Sequence, residues 1–347
     1  MKRGLFYKGE KIISLVLALC LTVGCATVPY EYGKEIENEL TYKLREEEPQ
    51  IERGRPVAFV DGLGHYVLSL PSKLTLWSWK VDNHDISPET EEKLKQYLAE
   101  NDLHNVKVRI NQYAPGAEYR RLFHNKAVGA GWRYTLGLIT VTFYTILPGR
   151  AFGGDNYNPY TNTINIYSDH PSIVIHEGGH SKDTAERTYK GTASALRILP
   201  LVPLYQEAFA TGDAIGYDRD KCLVKEEKED YKILYPAYGT YIAGEGLQWV
   251  DVSIWISYAV SFAAALVGHV VGRTKAVFVE EQPFCKERRE KEQEIIPVEQ
   301  ETIPGEQDVI PGEQDVIPIE QDIIPEEQGT TPEEQDNIIQ EQEIIPE

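Results

Sequence analysis

The residues of this sequence best suited to chemistry are His176, Glu177 and His180, which form the motif His-Glu-Gly-Gly-His. On an α-helix, residues four apart advance by about 400°, so the two imidazoles would sit about 40° apart on one face. Two imidazoles arranged in this way can bind one zinc ion, and the glutamate between them would lie beside the open coordination position. The spacing therefore predicts a zinc site in which Glu177 is the catalytic acid–base group.

The residues around the motif indicate how its helix is packed. The stretch Ser172-Ile173-Val174-Ile175 before it is mostly apolar, as expected for a helix buried against a sheet. Gly178 and Gly179 each weaken a helix by about 1 kcal/mol relative to alanine. They are tolerated where the helix is packed tightly or where its backbone must approach a neighbour closely.

A zinc site of this kind needs a third ligand, and Glu207 is the predicted one. Pro200 and Pro203 would begin a new helix just before it. The small residues Ala208 and Ala210 would let that helix pack closely on the first. Two histidines and one carboxylate are a ligand set of hydrolytic zinc sites.

Other side chains could complete or compete for this site. Three further carboxylates compete for the role of ligand: Asp183, Glu186 and Asp213. Asp183 follows His180 by three residues and is predicted instead to form a hydrogen bond that orients a ligand. A donor for the oxyanion that develops during hydrolysis would also be needed. Its candidates are Tyr217, Tyr235, Tyr238, Tyr241 and His269, and the sequence does not choose among them.

The order of a short strand, a turn, a helix with His-Glu-x-x-His and a helix with Glu-x-x-Ala resembles the gluzincin metallopeptidases. It is most similar to the membrane-associated CAAX-protease and HtpX-type family, over roughly residues 150–220. The resemblance implies that His176, His180 and Glu207 bind zinc and that Glu177 is catalytic. Ala210 matches the alanine after the family's glutamate, whereas Thr211 stands where the family normally has aspartate.

The resemblance also implies a function and a fold class. The fold would be α+β, a zincin-like metallopeptidase domain with a small sheet and the motif on a helix. The activity would be zinc-dependent hydrolysis of a protein or peptide substrate, with Glu177 accepting the proton of a zinc-activated water. Two alternatives stay open: a non-catalytic envelope lipoprotein whose structural or degenerate metal site serves an interaction scaffold, and a zinc hydrolase with a non-peptide substrate.

The N-terminus is organised like a secretory signal. Four basic residues precede an apolar run from Ile12 to Val23, which leads into Leu21-Thr22-Val23-Gly24-Cys25. That ending resembles the bacterial lipoprotein box, in which the cysteine becomes lipidated, although Thr22 replaces the usual aliphatic residue. We predict a signal peptide over 1–24, a lipid anchor on Cys25 and a tether over 25–55. The domain that follows would face the periplasm or the exterior; the alternative is an uncleaved N-terminal anchor.

Residues 56–285 are predicted to form the metallopeptidase-like domain. Ser87 and Pro88 are typical of a helix start, and that helix would run to about Glu100. The other predicted elements are a strand over Val106–Ile110, a strand or hairpin over Tyr134–Leu147, a loop over Gly149–Asn162, a strand over Thr163–Tyr167, and a helix that enters at Pro171 with Ser168 and Asp169 as caps.

A second apolar segment lies near the end of this domain. Residues 252–272 contain no Asp, Glu, Lys or Arg. This uncharged segment is long enough to span a bilayer. Gly268 and His269 also suit a helix buried in a protein core, and both interpretations stay open. Cys222 and Cys285 could form a disulfide in an oxidising compartment. A span between them would place the two cysteines on opposite sides, so a disulfide would exclude it.

The charge of the chain is concentrated at its C-terminal end. The net charge is −20, but 18 of the 55 acidic residues lie between Glu292 and Glu347, where there is no Lys or Arg. The remainder is nearly neutral and has no basic face for nucleic acid. Residues 286–347 are predicted to be a disordered tail of charged residues and seven-residue repeats, because each recurring proline costs about 3 kcal/mol in a helix. It could act as a spacer or docking strip, or be a neutral repeat expansion.

Overall fold

A four-stranded mixed sheet supports the helices that carry the motif. The computed structural model describes residues 29–36, 40 and 42–295. Its strands are β1 (Ile51–Arg53), β2 (Lys107–Ile110), β3 (Asn156–Asn158) and β4 (Thr163–Ile166), in the order β1-β2-β4-β3. Strands β1, β2 and β4 are parallel, with Val108 opposite Ile164, and β3 runs antiparallel at the edge.

Most of the remaining described residues are helical. The α-helices are α1 (Ala58–Leu63), α2 (Leu70–Leu76), α3 (Pro88–Glu100), α4 (Pro115–His124), α5 (Ala130–Trp132), α6 (Leu138–Ile146), α7 (Gly149–Phe152), α8 (Pro171–Ala185), α9 (Lys190–Ala195), α10 (Val202–Asp220), α11 (Val224–Leu247), α12 (Ile254–Val277) and α13 (Pro283–Ile295). Two π-helical turns cover Gly64–Leu68 and Arg133–Gly137, and a 3-10 turn covers Leu196–Ile198. The fold is therefore α+β and mostly helical, as predicted in its class.

Several predicted elements are confirmed. Helix α3 begins after Ser87, whose hydroxyl accepts a hydrogen bond from the Thr90 amide at 3.3 Å. The strands predicted near 106–110 and 163–167 are β2 and β4. The helix expected after Pro200 is α10. The main core lies between the sheet, α3, α8 and α10, and it includes Leu94, Leu98 and Ile175.

The caps predicted for α8 are wrong. Its N-cap is His170. Asp169 instead accepts hydrogen bonds from the Ser87 amide at 3.0 Å and the Thr90 hydroxyl at 2.6 Å, at the start of α3. The Ser168 hydroxyl points to Asp155. The turn before the motif is thus fixed by contacts with distant segments, which short-range spacing does not reveal.

The strand or hairpin predicted over Tyr134–Leu147 is also wrong, because this segment forms a π-helical turn and α6. Its threonine hydroxyls form hydrogen bonds with backbone carbonyls of the preceding helical turn. The hydroxyls of Thr142 and Thr145 each donate to the carbonyl four residues earlier, at 2.7 Å. Val141 packs with Leu122 of α4 in a small separate core. This packing overrides the strand preference of β-branched residues.

Helices α11 and α12 form an antiparallel hairpin joined at its open end by a Cys222–Cys285 disulfide. A Cβ added to Gly268 would lie 2.4 Å from the Tyr235 carbonyl oxygen, and one added to Gly272 would lie 2.1 Å from the Tyr231 carbonyl oxygen. Glycine is required at both positions because the two backbones touch. The disulfide that the sequence left open is formed, and both of its cysteines lie at the same end of the hairpin.

The structure of α12 bears on both interpretations offered by the sequence. Helix α12 is long and apolar enough to cross a membrane, but core helices and signal sequences can be equally long and apolar. In its most apolar stretch of 18 residues, 17% is buried. It is therefore not a core helix. The disulfide excludes a crossing by α12 alone, because α11 lies along it and Cys222 is beside Cys285.

The predicted ends of the domain also change. The described part of the 25–55 segment is not a free tether, because Tyr30 is buried and hydrogen-bonded to Asn101 at 3.0 Å, and β1 joins the sheet. Helix α13 extends into the predicted disordered tail, since the residues before Pro297 are mostly good helix formers. The signal peptide, Cys25 and the tail beyond residue 295 lie outside the described residues.

Candidate metal centre

The helix that carries the motif, α8, is held between α3 and α10. A Cβ added to Gly178 would lie 2.5 Å from Cε1 of Tyr97 on α3, and one added to Gly179 would lie 3.1 Å from Cα of Ala210 on α10. The two glycines that weaken the helix are thus the positions where its neighbours come closest. This close approach brings the histidines of α8 to a glutamate of α10.

Three of the predicted site residues converge at this contact. Nε2 of His176 lies 3.1 Å from Oε2 of Glu207, and Nε2 of His180 lies 3.4 Å from the same oxygen. One ligand atom from each residue lies within 4.8 Å of the other two. The histidine side chains are each 10% exposed and that of Glu207 is 0% exposed. This buried set of two imidazole nitrogens and one carboxylate oxygen could hold a metal ion.

The charge at the site also suits a cation. Burial alone would raise the pKa of Glu207, but the charge of His180 and hydrogen bonds from both histidines hold it well below its usual range. Burial alone would lower the pKa of His180, but the Glu207 carboxylate outweighs it and raises that pKa. Glu207 is therefore ionised in the fold. A metal ion would replace the proton shared between these groups.

Two contacts orient the ligands, and sequence reasoning identified neither. Arg197, in the 3-10 turn before α10, forms an ion pair with Oε1 of Glu207 and leaves Oε2 directed at the histidines. The Thr211 hydroxyl lies 3.5 Å from Nδ1 of His176. Thr211 could have been found from its spacing, because it follows Glu207 by one helical turn. Arg197 carries no such signal, since the turn that brings it back is not periodic.

Glu177, the predicted catalytic carboxylate, is buried next to the ligands and is 6% exposed. Its charge contributes to raising the pKa of two neighbours, Asp155 and Tyr241. Burial and the charge of Asp82 are the larger causes for Asp155, whose pKa is raised to about 7. Asp155 therefore lies close enough to Glu177 for their charges to interact.

Among the proposed oxyanion donors, Tyr241 is the one placed beside the site. The charge of Glu207 is the largest cause that raises the pKa of its hydroxyl well above the usual value. The hydroxyl therefore keeps its proton, although the residue as a whole is 39% exposed. Three others donate elsewhere: Tyr217 to Glu100 at 2.9 Å, Tyr238 to the Leu204 carbonyl at 3.2 Å and His269 to the Thr75 carbonyl at 2.9 Å. Tyr235 packs against Tyr231.

The carboxylates that competed with Glu207 lie in other contacts. Asp213 accepts hydrogen bonds from Lys182 at 2.6 Å and Tyr30 at 3.2 Å. Asp183 pairs with Arg187, whose Nε donates to it at 3.1 Å. A hydrogen bond in which Asp183 accepts from a ligand stays a prediction. Glu186 is the C-cap of α8, beyond the ligands.

Comparison of the chain with known protein families, with curated proteins and with solved structures finds no match. The function of the site must therefore be argued from its own geometry and chemistry.

Proposed function

We propose that the chain is a membrane-anchored, zinc-dependent metallopeptidase with a zincin-like fold. The observation that supports this most is the convergence of His176, His180 and Glu207 on one point, with Glu177 between the two histidines. Two imidazoles and a carboxylate are the ligand set of catalytic zinc sites in several hydrolases. The identity of the metal as zinc follows from this donor set and is part of the proposal.

The residues of the site divide the work of hydrolysis. His176, His180 and Glu207 would hold the ion, which would supply Lewis acidity for the substrate carbonyl and acidify a water. The Glu177 carboxylate accepts a proton from the attacking water and returns it to the leaving amine. The Tyr241 hydroxyl donates a hydrogen bond to the developing oxyanion. Arg197 keeps Glu207 in place through its other oxygen.

The test compares Glu177→Gln with the wild-type full chain. The wild type should bind about one zinc per chain and cleave a fluorogenic peptide library. The variant should bind zinc equally and lose at least about a hundredfold in rate, because it cannot accept the proton. Glu186→Gln is the matched control on the same helix and should change neither property.

Two results would contradict the proposal in different ways. Unchanged cleavage by Glu177→Gln would refute the assigned base. The metal centre would be refuted if the wild type bound no more zinc than His180→Ala, which lacks a ligand. Zinc-dependent hydrolysis of an ester or amide probe without peptide cleavage would favour the non-peptide hydrolase.

One observation favours the alternative of a structural metal site in a non-catalytic scaffold. All three ligand side chains are at least nine-tenths buried, and structural sites are closed whereas catalytic sites keep a position open. A small hydroxamate that binds metals distinguishes the two. It should bind the zinc-loaded protein if a coordination position is open, and it should not bind if the site is closed.

The proposed location is the bacterial cell envelope, with a lipid anchor on Cys25 and the domain facing the periplasm or exterior. The Cys222–Cys285 disulfide supports an oxidising compartment. Mass spectrometry of the N-terminal peptide would test the anchor. A mature chain beginning with lipidated Cys25 is expected, and an intact Met1 would contradict it.

A further inference from the structure

The closed end of the α11–α12 hairpin exposes large apolar side chains. We define the hairpin tip as residues 248–258. Its exposed large apolar side chains include those of Trp249, Val250, Ile254, Trp255 and Ile256, which are 50–80% exposed. The chain has five tryptophans, and all of them are at least 37% exposed. Tryptophan is favoured where an apolar surface meets water, as at a membrane interface.

A second exposed apolar segment connects this tip to the metal centre. We define the rim as residues 196–201, which contain the exposed side chains of Leu196, Ile198, Leu199 and Leu201. Within the rim, Arg197 binds Glu207 of the metal site. At the other end, the Leu201 amide donates to Glu245 Oε2 at 2.9 Å, and Gln248 of the tip donates to Glu245 Oε1 at 2.7 Å. The tip, the rim and the metal centre are therefore neighbours.

The shape of the tip identifies its partner. Ile254, Trp255, Ile256 and Tyr258 lie within five positions of one helix, so at about 100° per residue their side chains spread over about 200° of its circumference. Each is at least half exposed. The groove of a soluble partner would cover one face of the helix and leave the others in water. A lipid bilayer surrounds an inserted tip. Residues 252–272 contain no Asp, Glu, Lys or Arg to oppose insertion, and Asp251 is the one charged residue of the tip.

We propose that the hairpin tip inserts into the lipid bilayer and brings the rim of the metal centre to the membrane surface. The contact is separate from any lipid on Cys25 and does not depend on anionic lipids. If the proposed function holds, on which this last step rests, the substrates are peptide segments that leave the membrane near its surface. The disulfide end of the hairpin stays in water. It lies about 36 Å from the tip along α12, and that end of the helix carries Arg273 and Lys275.

The test places one tryptophan at either end of the hairpin. In the full chain, the other tryptophans are replaced by phenylalanine so that Trp255 alone reports on the tip. A matched variant lacks Trp255 as well and carries Phe278→Trp, because Phe278 is 77% exposed at the other end of α12. Both are mixed with phosphatidylcholine vesicles, with or without bromine on the acyl chains. Circular dichroism and the intact disulfide check the fold of each variant.

Bromine should quench most of the Trp255 emission and shift the remainder to shorter wavelength. It should leave the Phe278→Trp variant almost unquenched. Water-like emission from Trp255 in both kinds of vesicle would overturn the proposal. A blue shift without bromine quenching would also overturn it, since the tip would then be covered by protein, such as a second copy. These readouts do not involve hydrolysis, so they stand or fall separately from the proposed peptidase activity.

Discussion

The contact between α8 and α10 resembles the contact between α11 and α12 in how the helices pack, but the two contacts produce different features. Both depend on glycine, which lets two helices approach until their backbones nearly touch. At the first contact, polar side chains of both helices meet and form a group that could hold a metal ion. At the second, backbone meets backbone, and the large apolar side chains of α12 are left outside. Close packing thus creates a site in one place and a surface in the other.

The largest expected effect comes from breaking the second contact. In Gly272→Ala the new Cβ would lie 2.1 Å from the Tyr231 carbonyl oxygen, so the helices must separate. We expect a loss of about 3 kcal/mol or more in the free energy of unfolding, measured by urea denaturation. Gly246→Ala is the control in α11, because nothing lies within 4 Å of its added Cβ. It should be neutral or stabilising, by up to about 1 kcal/mol. Equal stability of the two variants would show that the hairpin is not close-packed.

The second effect concerns the acidic groups beside the metal centre. The pKa of Asp155 in the fold, about 7, is above its ordinary value of 3.8. The folded state therefore binds its proton more tightly, and this stability is complete below about pH 4 and is lost as the pH rises through 7. In Asp155→Asn that decrease should be absent. The difference between the two proteins should reach a few kcal/mol, at about 1.4 kcal/mol per pKa unit.

Urea denaturation of the metal-free protein across this pH range measures the effect. Asp85→Asn, which removes an exposed carboxylate, is the control and should leave the pH profile as it is. A wild-type profile that is flat between pH 4 and pH 7 would contradict the raised pKa of Asp155.

The smallest effect concerns the first contact. Thr211→Val removes the hydroxyl near Nδ1 of His176 without changing the volume much. Partners that orient a ligand typically contribute tenfold or more to metal affinity, and at 3.5 Å we expect about tenfold or less. Thr211→Ser keeps the hydroxyl and should restore the wild-type Kd, measured with a competing zinc indicator. Weaker binding in both variants alike would assign the effect to packing.

The sequence was most informative where a motif depends on local spacing. His176 and His180 lie on one helix, and proline placed the start of the next helix, so these ligands could be predicted. The cap of α3 was predicted for the same reason. Glu207 was favoured over Asp213 by the resemblance to the Glu-x-x-Ala helix of the gluzincins, and the structure pairs Asp213 with Lys182.

The sequence was least informative where distant segments decide. The segment 134–147 has strand composition but packs as helix on α4. Strand β2 alternates polar and apolar residues, yet all four positions are buried. Arg109 is accommodated there by Glu118 at 2.7 Å, a partner that periodicity cannot identify. Arg197 belongs to the same group of long-range contacts.

The Cys222–Cys285 bond has a consequence for when the fold is completed. It closes a loop that includes the whole α11–α12 hairpin, and the entropy lost by the unfolded chain corresponds to about 4 kcal/mol of stabilisation. Cys222 follows α10, the helix that bears Glu207, by two residues. Before the thiols are oxidised, the hairpin is held to α10 by packing, by the hydrogen bond from Tyr238 to the Leu204 carbonyl and by the Arg219–Glu227 ion pair. We expect the candidate metal site to be less rigid in a chain whose thiols are still reduced, as they would be in a reducing compartment.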